Sequence, residues 1–252
     1  MQCLNCGAEL AGRWCSQCGQ KEVDPRPTVH ELAHEALHEI AHVDGKLVRT
    51  IRLLLAKPGE LTREFLEGKR ARSVTPIRLY LICSLLFFGV VSVLPSRPLK
   101  MTVSKAAGAK LTNAAAKVNK DPAILTHALE TAFPKAMFIL MPLFGLVVYA
   151  FYFRADRLYV PHFYFAVHYH AFAFIALTVF ELLAQIHIKY FGPIRFLLLM
   201  AAFCVYLGIA LRRVYGGTRA MTILKTTAIV VIDLGFLLVA MGVIALMTLW
   251  RL

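Results

Sequence analysis

Four cysteines lie within the first eighteen residues, in two copies of one pattern: Cys3-Leu4-Asn5-Cys6-Gly7 and Cys15-Ser16-Gln17-Cys18-Gly19. A C-x-x-C-G knuckle lets both sulfurs face one ion, and its glycine permits the turn that aims backbone N–H groups at the thiolates. Two knuckles supply four sulfurs, the closed tetrahedral set of a structural zinc site. Iron would accept the same sulfurs, whereas an apo thiol cluster or redox pair would leave so short a segment without a core. A closed site has no open coordination position. The expectation is therefore a structural zinc ribbon over residues 1–20, used to bind a partner or to pack on neighbouring helices, with no catalysis at the metal.

A second set of chemically capable residues is the ladder His30, His34, His38 and His42, which contains three overlapping H-E-x-x-H matches. On a helix that spacing puts imidazoles on one face, with a glutamate able to activate a metal-bound water, as in a zinc peptidase. Amphipathic patterning alone also produces the ladder, and a metal or pH-sensing site without catalysis is a third reading. The third ligand a peptidase needs is not evident beside it, so the surface-helix reading leads. A third set lies inside apolar sequence: His168, His170 and Glu181 in one run and Asp233 in another. Ionisable groups are costly in lipid and face a bundle interior or a wet cavity. They are candidates for an ion, proton or small-molecule site of a transporter or channel-like protein, against structural hydrogen bonding between helices.

The elements that must carry these residues fall into two regimes. Residues 21–27 contain two prolines and read as a linker. Residues 28–68 read as short amphipathic helices, too short and too charged to span a bilayer, lying on a membrane surface or against a bundle. From Pro76 onward come five apolar runs, near 77–94, 135–153, 163–186, 193–211 and 223–250, each close to the ~20 residues needed to cross a ~30 Å hydrocarbon core. Pro76, Pro134 and Pro161 read as helix starts, with Pro142 as a kink. Residues 95–134 read as a polar loop carrying one helix start at Asp121-Pro122. The fold class expected for residues 76–252 is thus an all-α membrane domain of about five transmembrane helices.

Composition agrees. Of the 252 residues, 58% are hydrophobic, above the roughly 45–50% of soluble domains. The net charge of +13 would suggest nucleic acid in a soluble chain. Here the basic residues cluster at the ends of apolar runs, which suits the lipid bilayer and its anionic headgroups and disfavours nucleic acid. Lysines and arginines divide almost evenly between the two sides, so the positive-inside rule does not set orientation. Thiolates need a reducing compartment, and residues 1–6 have no apolar core of a signal peptide. The expectation is a cytoplasmic N-terminus, with a cytoplasmic protein as candidate partner.

Several segments together resemble a known family. They are the paired C-x-x-C-G knuckles, Thr50, Pro58-Gly59, Gly68-Lys69-Arg70, Pro76-Ile77-Arg78-Leu79-Tyr80, His168-Tyr169-His170-Ala171-Phe172 and Leu211-Arg212-Arg213-Val214-Tyr215. The resemblance is to a bacterial family catalogued only as a domain of unknown function, whose members are zinc-ribbon-bearing, multi-pass membrane proteins. It implies a bacterial inner-membrane location and no particular activity. The sequence therefore favours a non-enzymatic membrane protein whose ribbon binds a partner or senses a condition, ahead of transport and of peptidase activity.

Overall fold

The computed structural model describes residues 1–22, 45–94, 109–186 and 191–251. The histidine ladder, His30 to His42, lies outside the described residues. Among them, eight helices follow the N-terminal module: α1 (Lys46–Ala56), α2 (Glu60–Leu66), α3 (Pro76–Val93), α4 (Ala109–Lys120), α5 (Ala123–Tyr152), α6 (Tyr159–Ala184), α7 (Phe191–Tyr215) and α8 (Arg219–Arg251). No strand longer than an isolated bridge occurs among the described residues. Five helices, α3 and α5 to α8, are long and apolar enough to cross a membrane. This is an all-α, multi-pass membrane architecture.

The five helices alternate in direction. One end of the bundle gathers Tyr152, His162 and Tyr215, where Tyr215 stacks on both other rings. The other end gathers Val118, Leu125 and Leu249 in a small separate core. Helix α6 is central. Residues 164–172 are all buried, so every face of that stretch meets protein, and its continuous apolar and aromatic sequence suits that position. Rings fill the space around it: Phe174 against Tyr80 and Phe87 of α3, Tyr169 stacked on Phe144 of α5, and Phe172 stacked on Tyr206 of α7. Helix α8 is the outermost span and turns most of its apolar surface outward.

Helix boundaries depart from the sequence reading in an instructive way. Pro134 does not start a helix. It lies inside α5, as does Pro142, and α5 begins at Ala123 just after Asp121-Pro122. The Asp121 carboxylate accepts the Ala123 N–H at 3.2 Å, which starts the helix there. The segment read as a loop over 95–134 thus holds α4 and the first turns of α5. Leu125 and Leu129 pack against Val118 and Leu249, and that burial carries the helix on through a proline that removes one ladder bond.

The short helices α1 and α2 form a hairpin against the bundle rather than a pair free on its surface. Leu54, Leu61 and Phe65 are buried, and the first two belong to the main core. The connection Lys57-Pro58-Gly59 lets the hairpin approach α7 closely. Gly59 has φ +79°, and a Cβ there would sit 2.7 Å from the Ala210 carbonyl oxygen. Only glycine satisfies both the left-handed backbone and the contact.

Candidate metal centre and its docking surface

The N-terminal module is a twofold repeat at an offset of twelve residues. The Cys3 N–H donates to Ala8 O at 2.8 Å and the Gly7 N–H to Cys3 O at 2.8 Å; the Cys15 N–H donates to Gln20 O and the Gly19 N–H to Cys15 O, both at 2.9 Å. Antiparallel bridges close each loop, Gln2 with Glu9 and Trp14 with Lys21. Gly7 and Gly19 have φ of +79° and +69°, the left-handed turn that lets the chain double back after the second cysteine.

This geometry brings all four sulfurs within 4.8 Å of one another. Cys3 and Cys18 are 3.6 Å apart at sulfur, Cys6 and Cys15 3.5 Å. A tetrahedron with metal–sulfur bonds of ~2.3 Å has sulfur–sulfur edges of about 3.8 Å, so the donor set fits a tetrahedral thiophilic ion. No disulfide links any of them. The Asn5 side chain, then the Gln20 backbone N–H, hydrogen-bond the Cys18 sulfur and lower its pKa to about 6. At Cys6 the Ala8 N–H favours the thiolate, but lost solvation and bonds to the other three sulfurs outweigh it and push the thiol up to about 12. The four cysteines can therefore bind a metal ion.

The module is clamped to the rest of the chain by one side chain. Gln20 Nε2 donates to Gly68 O at 2.8 Å, and its Oε1 accepts from the N–H groups of Arg70 (3.0 Å) and Ala71 (2.9 Å). Gln20 is buried, and one residue separates it from Cys18. Arg72 adds a bond from its guanidinium to Asn5 O at 2.9 Å. Leu4 presses on Gly68, whose φ is +82°; a Cβ there would meet Leu4 Cδ1 at 2.6 Å. The receiving loop, residues 68–72, is itself fixed by α1 and α2. The Arg49 guanidinium donates to Arg72 O at 2.9 Å, the Val74 N–H donates to the buried Thr50 Oγ1 at 3.0 Å, and the Arg70 guanidinium lies over the Phe65 ring at 4.6 Å.

From that loop the contacts pass into the bundle. Thr62 Oγ1 and His168 Nδ1 share a buried hydrogen bond of 2.9 Å. The Tyr206 hydroxyl donates to Leu54 O at 2.9 Å, and Arg213 donates to Pro58 O at 2.6 Å. Glu60 lies 2.6 Å from Arg63 and 3.8 Å from Arg213. The hydrogen bond from Arg63 is the largest influence holding the Glu60 carboxyl below its usual range.

Among the described residues, none of the polar residues singled out inside the apolar runs hydrogen-bonds or ion-pairs with another. His168 faces the hairpin through Thr62. His170 donates from Nδ1 to Ala166 O at 2.9 Å, with its ring edge-on to Phe144 and Tyr169. Glu181 and Asp233 are each half-buried. Two cavities open near the start of α8, one of about 390 Å³ between α7 and α8 and another of about 410 Å³ beside Tyr152 and Lys225; none of the four residues lines either. The sequence reading did not single out His162. Its Nε2–H donates to Asp156 O at 3.1 Å, so Nδ1 accepts from the Tyr215 hydroxyl at 2.9 Å, which ties the start of α6 to the end of α7. Gln20 was missed as well, because a polar residue beside a knuckle carries no periodic signal.

Fold and cluster together define a class, a multi-pass helical membrane protein with a four-cysteine metal-binding module docked at one end of its bundle. The family model described as "Protein of unknown function (DUF3667)" matches residues 44–88. That stretch covers the hairpin, the docking loop and most of α3. No curated protein and no solved structure matches the chain.

Proposed function

We propose that this is a non-enzymatic protein of a bacterial inner membrane, with its N-terminus in the cytoplasm. In this reading its cysteine module binds one structural zinc ion, and metal loading sets how firmly the α1–α2 hairpin is held on the bundle. The observation that carries it is the Gln20 clamp. Three hydrogen bonds tie a residue next to the knuckle to the backbone that leads into α3. A module of this size folds only around its metal, so losing the ion would scatter Gln20, Leu4 and Asn5 together and free residues 68–72. The ribbon would thus report metal or thiol-redox status to the bundle.

Purified full-length protein in detergent should contain one zinc per chain by metal analysis, and Cys3→Ser with Cys6→Ser should abolish it. Chelation should sharply accelerate tryptic cleavage after Lys69, Arg70 and Arg72. Less than one metal per chain removes the zinc assignment, and an unchanged cleavage rate removes the coupling. Trp14, 63% exposed on the ribbon, favours an added role in holding a cytoplasmic partner. In that case Trp14→Ala should weaken crosslinking to the partner while leaving metal content and cleavage unchanged.

A further inference from the structure

We propose that the cavity between α7 and α8 is a binding site for one anionic phospholipid, with the phosphate held by Arg212 and Arg219 and the glycerol region by Thr226. The cavity is an open groove of about 390 Å³. Its walls are mostly apolar, and Val205, Ile209 and Ile223 are exposed on the outer surface of two helices long enough to span a bilayer. It therefore opens sideways toward acyl chains as well as toward the headgroup layer.

Four basic residues cluster around the α7–α8 turn, and the fold uses two of them. Arg213 bonds Pro58 O and faces Glu60; Lys225 donates to Phe151 O at 2.7 Å and lies over the Tyr152 ring. Arg212 and Arg219 are exposed, line the cavity, and have no ion-pair or hydrogen-bond partner among the described residues. Two unpaired guanidiniums beside an apolar groove match a phosphodiester, which accepts paired N–H bonds from such groups.

The second, independent observation is deeper. Other buried or half-buried threonines of the spanning helices return their hydroxyls to the carbonyl four residues back: Thr222 to Thr218 at 2.9 Å, Thr178 of α6 to Phe174 at 2.7 Å and Thr248 to Ile244 at 2.8 Å. Thr226 does not. Its Oγ1 is buried without a partner among the described residues, the residue is only 6% exposed, and it lines the cavity. Across from it stands Gly208, where a Cβ would come 3.5 Å from Thr226 Oγ1. Gly208 leaves the facing wall without a side chain beside that hydroxyl. A buried hydroxyl left unpaired is costly, and an ester carbonyl of a lipid supplies the acceptor. Thr226 is seven residues beyond Arg219, roughly 10 Å along the helix axis. Charge at the surface with a hydroxyl below it is the order of a phosphate above its glycerol esters. A soluble phosphate would satisfy the arginines but leave Thr226 and the apolar walls unused.

Native mass spectrometry tests the site. Full-length protein is reconstituted in vesicles of phosphatidylcholine and phosphatidylglycerol at 3:1, re-extracted in mild detergent, and the lipids retained per chain are counted. The expected result is one retained phosphatidylglycerol, enriched about tenfold over phosphatidylcholine relative to the input. Arg212→Gln with Arg219→Gln should lower that retention about tenfold, as should Gly208→Leu, which fills the groove with both cations intact. Arg154→Gln, an exposed cation outside this cavity, should leave it unchanged. Equal retention of the two lipids, or undiminished phosphatidylglycerol in the arginine or glycine variants, overturns the proposal. Displacement of the lipid by millimolar glycerol phosphate would point to a soluble phosphate ligand and overturn it too.

Discussion

Replacing Gln20 by alanine tests the link between metal module and membrane domain most directly. The side chain makes three hydrogen bonds to main chain, at 2.8, 3.0 and 2.9 Å, in a buried setting. A net worth of about 1 kcal/mol each gives about 3 kcal/mol for the clamp. If water refills part of the gap, the loss falls toward about 1 kcal/mol. At 1.4 kcal/mol per factor of ten, docking should weaken by about fivefold to about 150-fold. The loop carries its own reporter, since Lys69, Arg70 and Arg72 are tryptic sites that the docked ribbon covers in part. When opening is fast relative to cleavage, the cleavage rate follows the population of the open form. Gln20→Ala should therefore raise the rate at these bonds by at least fivefold while metal per chain stays constant. Gln20→Glu should fall between, because it keeps an acceptor for the two N–H groups and loses the donor to Gly68 O. If Gln20→Ala cleaves within twofold of the wild type, the clamp reasoning is wrong. If it loses its metal, Gln20 supports the ribbon rather than the docking.

Gly59→Ala should lower thermal stability in detergent by about 2 kcal/mol or more, since it combines a left-handed residue with a 2.7 Å approach to the α7 backbone; a melting curve matching the wild type would contradict this. Thr62→Val keeps the volume but leaves His168 Nδ1 unpaired in a buried site, with an expected loss of about 1–3 kcal/mol and unchanged ribbon metal, read from the same melting curves together with metal analysis. Glu60 has a depressed carboxyl pKa, so the stability it contributes is present above the ordinary carboxylate pKa of about 4.3 and is lost as pH falls through the lower folded value. Unfolding followed from pH 7 to pH 3 should show a shallower acid loss in Glu60→Gln than in the wild type, and parallel curves would exclude the contribution.

The parts of this fold legible in the sequence are those with a short-range signature. The two knuckles announce four sulfurs because ligand spacing is local, and the spans announce themselves by length. What lies between them was harder to read. An amphipathic stripe such as Leu47, Ile51, Leu54 records that one face is apolar, and lipid and protein interior are equally apolar. The discriminating residues in the hairpin are polar or small. Thr50 is buried between Lys46 O and the Val74 N–H, Thr62 is paired with His168, and Gly59 lies against Ala210. Each makes sense only once its distant partner is known. Pro134 misled for a related reason. The rule that proline starts a helix reflects a missing N–H, but burial of Leu125 and Leu129 further back outweighs one lost bond. Asp121-Pro122, a weaker local signal, marked the true start.

The stretch matched by the family model is the one on which the ribbon end of the molecule converges. Leu54, Pro58 and Gly59 touch α7, Thr62 and Phe65 touch α6 through His168 and Tyr164, and residues 68–72 receive the ribbon. A segment held by only one of these neighbours could shift without consequence for the others. Held by all three, it cannot tilt without changing at least two interfaces at once, because packed side chains do not deform continuously. Arg213 sharpens the point: it leaves α7 to bond the hairpin, while the adjacent Arg212 faces the α7–α8 groove. Any displacement of the hairpin from α7 would therefore act on the helix turn that also carries the groove's cations. The metal module docks on the loop that follows the hairpin, and the proposed lipid site includes Arg212, whose neighbour Arg213 bonds the hairpin, so the hairpin is the physical element through which either could affect the other.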